Sequence, residues 1–534
     1  MEDTPKPAAL TDDRRFTKKD TLLFGFFRYR RIDGRVRVRP VWGRFFLGFL
    51  VLIVGGWLAL SAGAWYFVTH SRGVKGVSYF DIALPFRWDE YRRKRGNDYL
   101  ARAQAAQEKG EFREAYQLFR AGLAKNPANT AGRVRLATML TWFGRPDMAI
   151  DVYAAGLPYA GEDLAFLSDY VQLLLTSQQD ARLLQLVDEK SAAFPPESPQ
   201  ARLLGIAGAT ASFFRGDFAQ AEAFVRRFEL GATNEARLLQ IRMEWERGLS
   251  DLALLHLRLL IQQSPGYEEA HAVLVACLQE LGRLDEAESA AVMRSVAFPE
   301  SAQAQVALLG ALRDAGSTAR LEREIENLLA RAKSDSRLAA GAAEFAIQTA
   351  NVALADRVKQ MAADGALPPH MGALVSIEAR LAARDYAGAL SQLKALKVEN
   401  PGWLEHQSAT VSGLRAVALL GSGEHDAGEL QLDAFLSQPG VRPENLVAIA
   451  RRLEEAGAID HARRVLTQVG SSKLNQAVLT SLIDLDIETG NYEQLVENLE
   501  TLLDLRRPSA AFLRRAAGAL RSDHLLFDPR RDAV

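Results

Sequence analysis

A glycine that recurs at a nearly fixed interval constrains this chain more than any other feature. The step is 34 from Gly110 to Gly144, and it is 34 again from Gly248 to Gly282. The clearest members of the series are Gly110, Gly144, Gly248, Gly282, Gly316, Gly423, Gly457 and Gly490. A fixed period of this length indicates stacked helical hairpins rather than a globular enzyme domain. We therefore predict an all-α chain in which each hairpin packs only against its neighbours.

One repeat, residues 96–129, shows why the period arises. Apolar residues at helical spacing give each of two helices one apolar face, and Gly110 supplies the backbone angles of the tight turn between them. Ala115 is small where the helices must approach closely, and Pro127 ends the second helix because Asn126 is pushed out of helical angles. The residues that define the repeats are Gly110, Ala115 and Pro127, then Gly144 and Ala149, then Gly248, Ala253 and Pro265, and then Gly282, Ala287 and Pro299.

The period weakens in places. Glycine is missing from the turns at Gln178-Gln179-Asp180, Ala350-Asn351 and Arg384-Asp385. The spacing also drifts, to 32 between Gly216 and Gly248. We nevertheless continue the array through these turns, and we predict about 12 repeats over residues 96–520, followed by a C-terminal tail, residues 521–534.

The pattern of Gly110, Phe112, Ala115, Phe119 and Pro127 resembles that of the tetratricopeptide repeat (TPR) family. This resemblance implies a right-handed α-solenoid of helix-turn-helix repeats, with a concave groove lined by the first helix of each repeat. Carried onto this chain, the groove-facing positions are Gln104, Gln107, Arg242, Trp245 and Gln279. Trp and Arg are enriched in binding hot spots, although a Trp at helical spacing also serves packing.

Phe45 to Thr69 is a run of 25 residues without a charged side chain. A run of this length predicts a membrane-spanning helix, and Trp42, Trp65 and Tyr66 lie near its ends, where aromatic side chains favour the lipid interface. The alternatives are a buried helix of a soluble protein and a cleaved signal peptide. We favour an uncleaved signal anchor, because the 44 residues before the run are long for a signal peptide.

The charges beside this span predict its orientation. Seven Lys or Arg side chains lie in the stretch 25–44 before it, and three lie in the stretch 70–89 after it, although extending the second stretch to position 95 makes the two sides equal. The positive-inside rule then places the N-terminus in the cytoplasm and the repeats outside. In a bacterium this would be the inner membrane, with periplasmic repeats.

The segments on either side of the span are basic. Residues 1–44 carry 12 basic and 6 acidic side chains; we predict disorder in residues 1–20 and a hairpin over residues 26–39, turning at Asp33-Gly34. Such an arm and the span itself, residues 45–69, contact membrane lipids, and no nucleic acid is expected. Residues 70–95 are predicted as a linker whose apolar part packs on the first repeat or along the membrane.

No catalytic, cofactor-binding or metal-binding motif is present, so we expect a non-enzymatic protein without a cofactor. The single cysteine, Cys277, lies in an apolar helix and is interpreted as a core residue. Small residues at Gly55, Ala59 and Gly63 share one face of the membrane helix and would allow a second helix to approach closely.

Two functions follow from these features. The first is a membrane-anchored scaffold that binds proteins or peptides in its groove, for envelope assembly, chaperoning or export. The alternative is an accessory or regulatory subunit of a larger membrane complex, such as a secretion system, a polysaccharide exporter or a membrane enzyme. The sequence does not identify the partner.

Overall fold

The computed structural model describes residues 21–23, 25–32, 35–399, 408–438, 441–468 and 475–522. Three sequence-based predictions lie outside the described residues: the disorder of residues 1–20, the turn at Asp33-Gly34, and the tail from residue 523.

Helical hairpins succeed one another from residue 88 to the end of the described chain, which confirms the predicted α-solenoid. In the described residues they are, from first to twelfth, Trp88–Glu108 with Phe112–Lys125, Thr130–Trp142 with Pro146–Ala154, Leu164–Thr176 with Asp180–Lys190, Pro199–Phe214 with Phe218–Arg227, Asn234–Glu246 with Ser250–Gln263, Glu268–Glu280 with Leu284–Ala297, Ala302–Asp314 with Thr318–Ala332, Ser336–Gln348 with Val352–Ala363, Pro369–Ala382 with Tyr386–Glu399, Ser408–Gly421 with His425–Leu436, Pro443–Glu455 with Ile459–Thr467, and Gln476–Thr489 with Tyr492–Leu505. A short helix, Leu157–Ala160, precedes the third hairpin, and a C-terminal helix, Ala510–Ser522, follows the twelfth.

The turns inside the hairpins share one backbone conformation whether or not they contain glycine. The φ angle is +79° at Gly110 and +81° at Gly248. In the three turns without glycine it is +57° at Gln178, +52° at Ala350 and +60° at Arg384. The repeat therefore continues through these turns in left-handed angles that favour glycine.

The ends of the hairpins are also alike. Asn126, Ser264 and Phe298 each precede a proline and lie outside the helical region, with φ near −130° and ψ near +70° (−127° and 77°, −136° and 69°, −128° and 67°). This is the expected effect of a following proline. The alanines after the turns, Ala115 and Ala253 among them, are completely buried.

A buried polar side chain satisfies each of these prolines' carbonyl groups. Arg133 Nε donates to the Pro127 carbonyl at 3.0 Å, His271 Nε2 lies 3.1 Å from that of Pro265, and Gln305 Nε2 donates to that of Pro299 at 3.3 Å. Each donor lies six residues after its proline, on the first helix of the next hairpin. These contacts link successive hairpins, because a buried carbonyl without a partner is costly.

The chain divides into two compact units, residues 1–136 with 155–160 and residues 137–154 with 161–534. In the second unit, buried apolar residues of the described chain form successive clusters, spanning residues 238–312, 309–379, 373–485 and 479–520. Each cluster joins neighbouring hairpins, as expected of a repeat array.

The first unit begins with a small antiparallel sheet in the order β1 (Thr21–Leu22), β2 (Phe27–Ile32) and β3 (Arg35–Pro40). Phe27 pairs with Pro40, and Ile32 pairs with Arg35. The predicted membrane helix, Trp42–Tyr66, follows and continues as a π-helical turn, Phe67–Ser71. By length and composition Trp42–Ser71 is able to cross a membrane, and only 6% of its most apolar window is buried.

The segment after this apolar helix packs back against it. Trp57 Nε1 donates to the Ala83 carbonyl at 2.7 Å, and Trp65 Nε1 donates to that of Val77 at 3.0 Å. A short helix, Tyr79–Ala83, places the fully buried Asp81 2.7 Å from Lys94 Nζ on the first hairpin. The first hairpin begins at Trp88, inside the predicted linker, so the apolar part of this segment joins the apolar helix to the repeats.

Candidate partner-binding site

A cavity of about 250 Å³ lies on the surface formed by the first helices of three successive hairpins. It is lined by Phe213 of the fourth hairpin, by Ile241, Arg242, Trp245 and Glu246 of the fifth, and by Val273, Cys277 and Glu280 of the sixth. We call it the first-helix cavity. Two of the predicted groove residues, Arg242 and Trp245, line this cavity together.

Trp245 both packs and lines the cavity. Its ring contacts the core cluster of the fifth and sixth hairpins, while its Nε1 donates to Glu280 Oε2 at 3.3 Å. The side chain is half-buried rather than enclosed. An indole with one face packed and the other accessible loses little conformational freedom when a partner covers it.

Arg242 is held by the next hairpin. It donates to Glu269 Oε1 at 2.9 Å, and Glu269 also accepts from the Tyr267 hydroxyl at 3.2 Å. Burial raises the pKa of Tyr267 above its usual range, and the neighbouring Glu269 adds to this effect. The hydroxyl therefore stays protonated and keeps donating to the carboxylate.

The other predicted groove residues lie elsewhere. Gln279 is outside the cavity lining and donates to Asp314 Oδ2 on the seventh hairpin at 3.2 Å. Gln104 and Gln107 lie on the first helix of the first hairpin, in the other compact unit, where Gln104 donates to Glu108 at 2.9 Å.

A second cavity, of about 700 Å³, adjoins the first and shares Trp245, Glu246 and Glu280 with it. The C-terminal helix forms one of its walls, through Ala510, Leu513, Arg514 and Ala517 among other residues. Glu246 Oε2 accepts from the backbone N–H of Ala510 at 2.7 Å, which fixes the start of this helix beside the fifth hairpin. The sequence could not predict that the C-terminal helix forms this wall, because the fifth hairpin and the C-terminal helix lie far apart in the chain.

A buried ion pair anchors the C-terminal helix. Arg506 Nε and Nη2 donate to the two oxygens of Asp180 at 2.6 and 2.8 Å, and Nη2 also donates to the Leu175 carbonyl. The guanidinium carbon lies 4.0 Å from the centre of the Phe214 ring. Both ionic partners are buried, so this is a bidentate pair with little access to solvent.

Two further contacts in the second unit also join a late hairpin to an early one. The backbone N–H of Gln476 donates to Gln178 Oε1 at 2.7 Å, and Arg442 donates to the Trp142 carbonyl. The turns after Trp142 and at Gln178 belong to the second and third hairpins, and they meet the first helices of the eleventh and twelfth. Within this unit the array therefore returns on itself after about nine hairpins, and Arg506, at the end of the twelfth hairpin, joins the same pair of hairpins as Gln476.

The single cysteine, Cys277, is one of the lining residues. Burial raises the pKa of the Cys277 thiol to about 12, so the thiolate is scarce at neutral pH. In the described part of the chain, no group of three His, Cys, Asp or Glu side chains is arranged to hold a metal ion.

No family model matches the sequence, and no curated protein matches it either. Among solved structures, similar chains occur in yeast Tom70 (13% identity, 90% of this chain and 98% of that chain, TM-score 0.31) and in Naa15/Naa10 bound to HypK-THB (15%, 90% and 79%, TM-score 0.26). A third is the human IFIT1 dimer with m7Gppp-AAAA (14%, 70% and 90%, TM-score 0.27). Identities and TM-scores this low say nothing about what this chain binds.

The hairpins themselves define the class of protein. This chain is an α-solenoid preceded by one apolar helix that is long enough to cross a membrane.

Proposed function

We propose that this protein is a non-enzymatic, membrane-anchored scaffold that binds protein or peptide partners on the surface of its first helices. The observation that carries the proposal is the first-helix cavity, in which a half-buried Trp245 and an Arg242 face open space on that surface. Its place is the bacterial inner membrane, with the N-terminus in the cytoplasm and the repeats in the periplasm, where it serves envelope assembly, chaperoning or export.

The cavity suits a peptide side chain better than a small metabolite. Its lining joins apolar surface from Phe213, Ile241 and Val273 to ionisable groups at its edge. A partner's apolar side chain would fill the cavity against Trp245, and its backbone or charged groups would meet Arg242, Glu246 and Glu280. This combination of an aromatic anchor and a polar rim is typical of interaction hot spots.

Exposed apolar surface supports the membrane anchor. Leu47, Phe49, Leu52 and Leu60 each expose more than half of their side-chain surface. A soluble protein rarely leaves so large a continuous apolar surface in water, whereas a lipid bilayer would cover it.

Affinity purification of variants from native membranes tests the proposal. We expect Trp245→Ala and Arg242→Ala to reduce co-purifying partners at least tenfold while circular dichroism shows an unchanged helix content. Arg258→Ala is the matched control, because Arg258 is an exposed arginine on the second helix of the same hairpin and pairs with Glu286. Partners retained equally by all three variants would contradict binding at this cavity.

One observation favours the alternative of a subunit in a larger membrane complex. A side-chain carbon placed at Gly55, Gly56 or Gly63 would meet nothing within 4 Å, so the described residues leave this face of the membrane helix uncovered. Leu replacements at Gly55, Ala59 and Gly63 should disrupt a complex that is held together by the membrane helix. If the complex survives these replacements, the helix is only an anchor.

A further inference from the structure

A cavity of about 460 Å³ lies between the membrane helix, the segment that packs back on it, and the first hairpin. We call it the juxtamembrane cavity. Its lining includes Trp57, Ala64, Ile82, Arg92, Arg95 and Lys125. All of them belong to the first compact unit.

The two walls of this cavity have different chemistry. The membrane helix and Ile82 supply an apolar wall, and Trp57 and Trp88 flank it with ring centres 6.1 Å apart. The first hairpin supplies the other wall with the cations of Arg92, Arg95 and Lys125. None of the described lining residues is acidic.

The cations of this wall are poorly neutralised by the protein. No described carboxylate pairs with Arg95 or Lys125, whereas the neighbouring Lys94 and Arg87 both reach Asp81. Arg92 has only a loose contact with Asp89, at 3.8 Å between two exposed side chains. Within the described structure, the buried Nε of Arg95 also lacks a hydrogen-bond acceptor.

We infer that the juxtamembrane cavity binds one anionic phospholipid, with an acyl chain on the apolar wall and the phosphate on the cations of Arg92, Arg95 and Lys125. The inference rests on the proposed membrane anchoring. A lipid supplies both elements that the cavity lacks, a hydrocarbon chain beside the membrane helix and an anion beside the first hairpin.

Exposed aromatic side chains lie beside this cavity. Phe80 and Phe86 expose 58% and 81% of their surface, and Trp88 exposes 43%. Aromatic side chains prefer the level of the headgroups, and all three lie in or next to the segment that forms the cavity. A bound lipid would bridge the membrane helix to the first hairpin and set the angle at which the repeats leave the membrane.

Native mass spectrometry of the full-length chain tests this inference, in phosphatidylcholine nanodiscs that contain phosphatidylglycerol as the minor lipid. After activation we expect one phosphatidylglycerol to remain bound, with at least a tenfold preference over phosphatidylcholine. The double variant Arg95→Gln with Lys125→Gln should lose this preference. Ala64→Trp should also lose the bound lipid, because it fills the apolar wall and leaves the charges in place.

The control is Lys109→Gln with Arg113→Gln, which removes two charges at the opposite end of the same hairpin. Retention of phosphatidylglycerol by the double cavity variant, or equal loss in the control, would overturn the inference, and so would displacement by inorganic phosphate. Insertion into nanodiscs is scored separately. A wild-type chain that fails to insert would refute the anchor and the lipid site together, whereas insertion without lipid preference would refute the lipid site alone.

Discussion

Three turn residues adopt left-handed backbone angles without being glycine, and Ala350 is the simplest of them. Its φ is +52°, an angle that costs an L-residue roughly 1–2 kcal/mol. Ala350→Gly should therefore stabilise the chain by about 1 kcal/mol, measured as a higher thermal midpoint in detergent.

The matched control is Gly316→Ala, in the turn of the preceding hairpin. Gly316 has a φ of +72° and open space around its missing side chain, so alanine would add strain without a clash. This variant should lose about 1 kcal/mol. If both variants shift the midpoint in the same direction, backbone strain does not govern these turns.

Because of His271, we expect the folded chain to lose stability in acid. Burial lowers the pKa of His271 below its ordinary value, although its hydrogen bond to the Pro265 carbonyl opposes this shift, and Arg294 adds to the lowering while Glu268 opposes it. The folded chain therefore holds fewer protons here than the unfolded chain. Its stability is fully present above about pH 6.5 and falls as the pH drops below that value.

His271→Gln tests this effect with a side chain that the next repeat already uses, since Gln305 makes the equivalent bond to Pro299. The variant should match the wild type at pH 7.5 and lose less stability on titration to pH 5.5. Thermal midpoints across this range provide the measurement. Parallel curves for the two proteins would rule out the histidine as the source.

Because of Glu454, on the eleventh hairpin, we expect the opposite dependence of stability on pH. Burial, together with a hydrogen bond to Glu488, raises the pKa of Glu454 to about 7. The folded chain thus favours the protonated carboxyl, and its contribution to stability is lost as the pH rises through about 7. Glu454→Gln should equal the wild type at pH 5 and exceed it in thermal midpoint at pH 8.

Glu455→Gln serves as the control for this variant, because Glu455 accepts from Arg451 and Arg452. It should not gain stability at pH 8. A gain in both variants would point to general charge repulsion rather than to the Glu454–Glu488 contact.

Residue-scale prediction succeeded where the requirement is local. Glycine is needed at the left-handed turn, alanine where two helices approach closely, and proline where a helix ends. The period of these residues therefore predicted the hairpins. The buried donors six residues after proline went unnoticed, because Arg133, His271 and Gln305 share no residue type and look like surface residues. Only their hydrogen bonds show that they are equivalent.

At the scale of elements, the ion pair of Arg506 with Asp180 fixes the C-terminal helix. Arg506→Ala would leave Asp180 buried without its partner, which costs about 3–5 kcal/mol. We expect hydrogen exchange to become faster in residues 510–522 and around residues 175–180. Arg515→Ala on the C-terminal helix is the control, because its pair with Asp484 is exposed and contributes about 0.5 kcal/mol or less.

Hydrogen-exchange protection that stays unchanged in Arg506→Ala would contradict a role for this pair in holding the helix.

The sequence offered no means of finding this ion pair, since Asp180 and Arg506 resemble ordinary charged residues in separate repeats. The start of the first hairpin was missed for a related reason. Residues 88–95 are strongly charged and lack an apolar period, so they were interpreted as a linker, whereas Trp88 and Lys94 are held by the preceding segment.

At the scale of the whole molecule, the sequence predicted an array of hairpins and an apolar helix long enough to cross a membrane, because both depend on local patterns of residues. It could not predict that the second unit returns on itself, since those contacts join hairpins about nine repeats apart. Nor could it predict the juxtamembrane cavity, which needs three segments to meet in space.

Photo-crosslinking in native membranes tests directly whether partners bind on the first-helix surface. A photoreactive amino acid at Val273, in the first-helix cavity, is compared with one at Leu255, which is 52% exposed on the second helix of the fifth hairpin. If partners bind in the first-helix cavity, we expect discrete, reproducible protein adducts at Val273. These adducts should be absent at Leu255 and should be lost on adding Trp245→Ala. Adducts of equal identity and yield at both positions, or none at Val273, would contradict a scaffold that binds its partners on the first-helix surface.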